Sequence, residues 1–210
     1  MTRTPELNDL LVLLADRNME ATMRGILTRH KALGTRPIVA DIRRHPRNDG
    51  GCCGEGVQFL AAFAGRYSHA LLLFDREGCG REGCSAVELE LELEAQLKNA
   101  GWSHRAGVIV LDPELEIWVW SDSPHVDDQL GWAGRKLDLR SWLRKQRLLR
   151  AGQPKPDRPK EALEAALRNV KLPRSSAIYK ALAEKVSLGR CNDRAFVKLK
   201  TILRSWFAET

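Results

Sequence analysis

The sequence predicts an α/β protein in which a central parallel sheet of about four strands is flanked by helices and followed by an all-helical, basic C-terminal part. Three observations predict it: four short apolar runs without polar alternation, helical periodicity between them, and a change of texture and charge near residue 135. The runs are Leu10–Ala15, Pro37–Ile42, Ala70–Phe74 and Ala106–Leu111. A strand covered on both faces has no polar side to show, so its sequence does not alternate. Amphipathic helices are expected at Glu20–Leu33, Val57–Ala64 and Ala86–Asn99, which gives the β-α-β-α alternation of a parallel sheet.

No strand is predicted after Leu111. Asp112–Trp120 is expected to turn into a helix, and Asp138 to cap a helix over Leu139–Leu149. The polar, Pro-containing stretch Gly152–Asp157 reads as a linker. Pro159 suits the first turn of a helix over Lys160–Val170, and another helix is expected at Ser175–Lys185. In the last helix, capped by Asp193, Phe196, Leu199, Ile202, Leu203 and Trp206 recur at helical spacing. The acids of Glu88-x-Glu90-x-Glu92-x-Glu94 spread around a helix, which reads as a solvated face.

The net charge of +7 conceals an asymmetry. Residues 1–135, the expected α/β core, hold 15 Lys and Arg against 20 Asp and Glu; residues 136–210, the expected basic helical region packed on it, hold 19 against 7. Such a division suits a metal-binding surface beside a phosphate-binding one, although Lys and Arg also serve simply to solvate helical faces. No apolar run approaches the ~20 residues of a membrane span, and Met1–Asp9 has no signal-peptide apolar core, so a cytoplasmic, membrane-free protein is expected. The five cysteines, at 52, 53, 79, 84 and 191, do not follow zinc-site spacing and read as free thiols in loops.

In open parallel sheets the ligand site lies beyond the carboxyl ends of the strands. Three of the four predicted strands end there in paired acids: Asp16 with Glu20, Asp75 with Glu77, and Asp112 with Glu114 and Glu116. Carboxylates are the ligands that hard Mg²⁺ and Mn²⁺ prefer. Taken singly, Asp16 and Asp112 also suit helix caps and Asp75-Arg-Glu-Gly a turn.

At these positions the chain resembles Toprim-fold proteins, particularly the branch related to the overcoming-lysogenization-defect nucleases. The family pattern has an acid after the first strand and a D-x-D after a later one; here Asp16 with Glu20 and Asp75-Arg-Glu77 stand in those places. Leu115-Glu116-Ile-Trp118-Val-Trp-Ser-Asp122 is similar to a further acidic segment of the branch. Two departures are Asp16-Arg17 where Glu-Gly is usual, and D-x-E in place of D-x-D. The stretches His45–Cys52, His69–Gly80 and Pro173–Ser176 add a similarity to a component of a bacterial methylation-associated antiphage defence system. The resemblance implies a Toprim-like core and an Mg²⁺- or Mn²⁺-dependent nuclease, with Asp16, Glu20, Asp75, Glu77 and Glu116 as metal ligands and catalytic acids. It implies nucleic acid and other defence proteins as partners, with a homodimer as an open option. The alternative is an inactive Toprim-like scaffold, which the two departures favour.

Other motifs carry weaker expectations. His45, with Arg43, Arg44 and Arg47, follows the second strand and is expected either to act as general acid or base beside phosphate or to form a basic surface loop. Gly78–Gly83 and Arg174-Ser-Ser176 are candidate phosphate contacts, with turn and cap as their simpler readings. Trp118, Trp120, Trp132, Trp142 and Trp206 are expected in the core rather than stacked on bases.

Overall fold

The computed structural model describes residues 8–209. Its sheet is built from β1 (Asn8–Leu14), β2 (Ala40–Arg44), β3 (Tyr67–Asp75) and β4 (Ala106–Leu111), all parallel, in the order β2-β1-β3-β4. The α/β class with a four-stranded parallel sheet is therefore as expected. Residues Leu10–Leu14, Ala70–Phe74 and Val108–Leu111 are at most 1% exposed, which explains their unbroken apolar character.

β2 is displaced from the expected Pro37–Ile42. Its register, Leu10 opposite Ala40 through Leu14 opposite Arg44, carries the strand through Arg43 and Arg44 and leaves Val39 outside it, 71% exposed. As an edge strand it is only half-buried, so its apolar run does not mark its extent.

The helix expected at Glu20–Leu33 is two: α1 (Arg17–Leu27), capped by Asp16, and α2 (His30–Leu33), closed by Gly34 at φ +72°. The helix expected at Val57–Ala64 is α3 (Asn48–Ala61), which begins nine residues earlier. Two of its glycines, Gly51 and Gly56, serve close approach rather than loop geometry. A Cβ on Gly51 would stand 1.9 Å from the His45 ring, and one on Gly56 would stand 2.8 Å from Leu72 on the sheet. Cys52 and Cys53, expected in a loop, are thus buried on a helix.

α4 (Ala86–Leu97) starts with a capping box between Ser85 and Glu88 and runs into a π turn at Lys98–Trp102. Its acids are not merely solvated. Glu90, 3% exposed, accepts the Val110 N–H and Glu94 accepts the Val108 N–H, both from edge strand β4. After β4 come α5 (Glu116–Val119), α6 (Pro124–Gln129), α7 (Leu139–Lys145), α8 (Pro159–Val170), α9 (Ser176–Lys185) and α10 (Arg194–Trp206). α6 answers to no sequence expectation, and α7 is shorter than Leu139–Leu149.

The basic helices fasten onto the sheet. Arg194 and Lys198 of α10 bind Glu90, Lys198 reaches Glu94, and Arg194 donates to the Val110 carbonyl. α4 and α10 together therefore satisfy the free edge of β4. α9 packs along α1, where Arg29 donates to the Ala183 and Val186 carbonyls. Trp102, Trp118, Trp120 and Trp132 are buried, while Trp142 and Trp206 are half-buried against the same core. Among the described residues, no helix is long and apolar enough to cross a membrane.

Candidate functional site

A cleft of about 230 Å³ opens beyond the carboxyl ends of the strands. Six carboxylates line it, from Asp16, Asp49, Asp75, Glu77, Glu114 and Glu116, against two cations, Lys160 and Arg174. Asp16 follows β1 and caps α1, its Oδ1 accepting the Met19 N–H at 2.8 Å. Capping and lining the cleft are therefore both roles of this residue. Asp75 ends β3 at the centre. Asp49, in the first turn of α3, accepts the Asp75 backbone N–H at 2.8 Å and so pins that strand end.

Glu114 and Glu116 follow β4, and the basic helices hold both. The first-turn amide of α8 donates to Glu114 through Lys160 N at 2.9 Å, with Lys160 Nζ 3.7 Å from its other oxygen. Glu116, 2% exposed, accepts from Arg174 and from the Tyr179 hydroxyl, and Arg174 also donates to Tyr179 and Glu164.

No family model, curated protein or solved structure matches the chain.

The imbalance of charge falls on Asp75. Burial first, then the charges of Asp49, Glu116, Asp16 and Glu114, holds its carboxyl well above the usual range, and its buried Oδ1 has no hydrogen-bond partner. Burial also raises Asp49, with Asp16 adding to it and the Asp75 N–H opposing. Glu114 is raised mainly by burial, with the Lys160 amide opposing. Burial and then Glu116 push the Tyr179 hydroxyl up, so it stays a donor.

The donor set fits Mg²⁺ or Mn²⁺ in kind, because every donor is a hard oxygen and the central one is an unpartnered carboxylate oxygen. Among the described residues no group of three or more His, Cys, Asp or Glu side chains stands close enough to hold a metal ion.

The cleft gathers Asp16, Asp75, Glu77 and Glu116 of the sequence candidates, but not Glu20 or His45. Glu20 turns away because two guanidinium groups hold it, Arg24 at 2.9 Å and Arg44 at 3.1 Å. His45 is 5% exposed, packed beside Gly51 and edge-on to Phe59. Its Nδ1 accepts the Arg47 N–H, and its Nε2 lies 3.5 Å from Glu55. It shapes the entry to α3 and does not face the acids. The neighbouring arginines are paired as well, Arg43 with Asp41 and Arg47 with Glu55. In Gly78–Gly83, the amides of Gly78 and Gly80 donate to Glu82, so the loop satisfies itself.

Asp49 and Lys160 are the members that sequence reasoning missed, and Glu114, one of the acids after the fourth strand, stood outside the expected ligand set. Glu114 carried a signal, standing two residues before Glu116 just past a strand end. Asp49 was hidden by the glycines that follow it.

Proposed function

We propose that the protein is a divalent-metal-dependent phosphodiester hydrolase acting on nucleic acid, serving as a component of bacterial antiphage defence. The observation that carries the reading is the unpartnered, buried Oδ1 of Asp75 at the centre of carboxylates from β1, β3, α3 and the segment after β4. The Toprim resemblance supports it in part, since Asp16, Asp75, Glu77 and Glu116 gather while Glu20 stands outside the cleft.

Asp75 and Asp16 would hold Mg²⁺ or Mn²⁺, with Glu77 at the rim and Glu116 behind. When bound, the ion supplies positive charge to a phosphodiester and an activated water. Asp75 and Asp49 keep the central carboxylates in place, because the Asp75 amide is tied to Asp49. Lys160 and Arg174 bring positive charge to the cleft and restrain Glu114 and Glu116. The basic helical half supplies contacts to the nucleic-acid backbone, and other defence proteins are its expected partners.

Purified full-length chain should nick or degrade DNA or RNA with Mn²⁺, and Asp75→Ala should abolish this. Undiminished cleavage by that variant would sink the site assignment. A second reading, a catalytically inactive scaffold, is favoured by the ties of Arg174 and Tyr179 to Glu116, which occupy that carboxylate without metal. It is distinguished by nucleic-acid or partner binding with no metal-dependent turnover and a melting temperature indifferent to Mn²⁺.

A further inference from the structure

A second cleft, of about 660 Å³, lies beside the acidic one, bounded by α5, α7 and the segments 153–155 and 190–194. The single turn of α5 joins them: Glu116 lines the acidic cleft and the next residue, Ile117, lines this one. Its wall is strongly basic. Arg140 is fixed by donating to the Ser121 and Pro154 carbonyls, and Lys155 lies 3.8 Å from Asp193. Arg144 and Arg190 are exposed, and among the described residues neither has a carboxylate within ion-pair distance.

The acids lining this cleft are largely engaged. Asp112 pairs with Arg76, and Asp193 accepts from Trp118 and caps α10, which leaves Asp122. Two polar atoms on the wall are buried without a partner, Ser121 Oγ, on a residue 5% exposed, and Gln153 Oε1. The Ser121 hydroxyl can donate to a phosphate oxygen, whereas the Gln153 oxygen only accepts and needs an N–H or O–H from whatever fills the cleft. Buried polar groups are normally satisfied, so the Ser121 hydroxyl marks a place where a phosphate would complete the wall.

We propose that this cleft binds consecutive phosphates of a nucleic-acid strand that continues across α5 into the acidic cleft. Arg144 and Arg190 supply the charge, and the Ser121 hydroxyl sets the position. The strand, rather than a free nucleotide, is the occupant because the cleft adjoins the acidic site through α5; in this the inference rests on the proposed hydrolase.

The test is anisotropy of a labelled single-stranded oligonucleotide on the full chain in EDTA, over a range of salt. Arg144→Ala with Arg190→Ala should weaken binding by roughly tenfold or more, and lower the slope of log K against log salt by about 1.4 in magnitude, for two lost phosphate contacts. Arg158→Ala with Lys185→Ala, exposed cations outside the cleft, should leave affinity within about twofold. Equal weakening in both pairs would mean diffuse attraction and overturn the proposal. So would competition by a mononucleotide at the oligonucleotide's own affinity, or no binding by the unaltered chain. Binding that follows this pattern without cleavage in Mn²⁺ would uphold the cleft and refute the hydrolase.

Discussion

Replacing Asp75 by Asn should stabilise the metal-free protein while abolishing its response to metal. Asp75 stands among five other carboxylates with its Oδ1 buried and unpartnered, and burial together with the neighbouring charges raises its carboxyl well above the usual range. A folded-state value raised above the unfolded one contributes stability that is fully present below the unfolded value, about 4, and is lost as pH rises through the folded value. The unliganded wild type should therefore weaken as pH rises from about 4 toward neutrality. Asn keeps the shape and removes the charge, so it should recover about 1–3 kcal/mol at neutral pH, the order of an uncompensated buried polar group. For a chain of this size that is roughly 2–12 °C in Tm. Thermal unfolding of both proteins in EDTA at pH 4 and pH 7.5 measures the effect, and a repeat with Mn²⁺ should raise the wild type alone. A variant less stable than wild type at pH 7.5 in EDTA would refute the reasoning, because Asp75 would then be making a stabilising contact.

Other perturbations follow from the same geometry. Glu90→Ala should destabilise by about 3 kcal/mol, since it leaves Arg194 and Lys198 without their buried partner and the Val110 N–H unpaired. Urea unfolding would show a lower midpoint at unchanged slope. Burial raises the Cys52 thiol and pushes Cys53 up to about 11, so neither should be alkylated at pH 8 until the protein unfolds. Peptide mapping after iodoacetamide checks this, and rapid labelling of Cys53 in the native protein would contradict it.

The sequence revealed most where burial left a single explanation for a run of residues. β4 lies at Ala106–Leu111 as expected, because α4 and α10 cover this edge strand and leave it no polar side to show. β2 was misplaced because an edge strand tolerates Arg43 and Arg44, so hydropathy stops before hydrogen bonding does. The start of α3 was obscured by glycines that usually mark turns. Their reason lies in the His45 ring and Leu72, contacts that depend on tertiary packing. The strand-end rule placed Asp16, Asp75, Glu77 and Glu116 in one cleft. It could not see that Arg44, arriving on a neighbouring strand, draws Glu20 aside, or that α8 and α9 send Lys160 and Arg174 back to the acids.

The acidic cleft is proposed to hold a divalent ion. Crystals of the full chain soaked in Mn²⁺, with data collected at the manganese absorption edge, test it most directly. The account predicts an anomalous peak in the cleft at bonding distance from carboxylate oxygens of Asp75 and Asp16, absent in Asp75→Asn. An empty cleft at saturating Mn²⁺, or a peak of equal height in the variant, would contradict it.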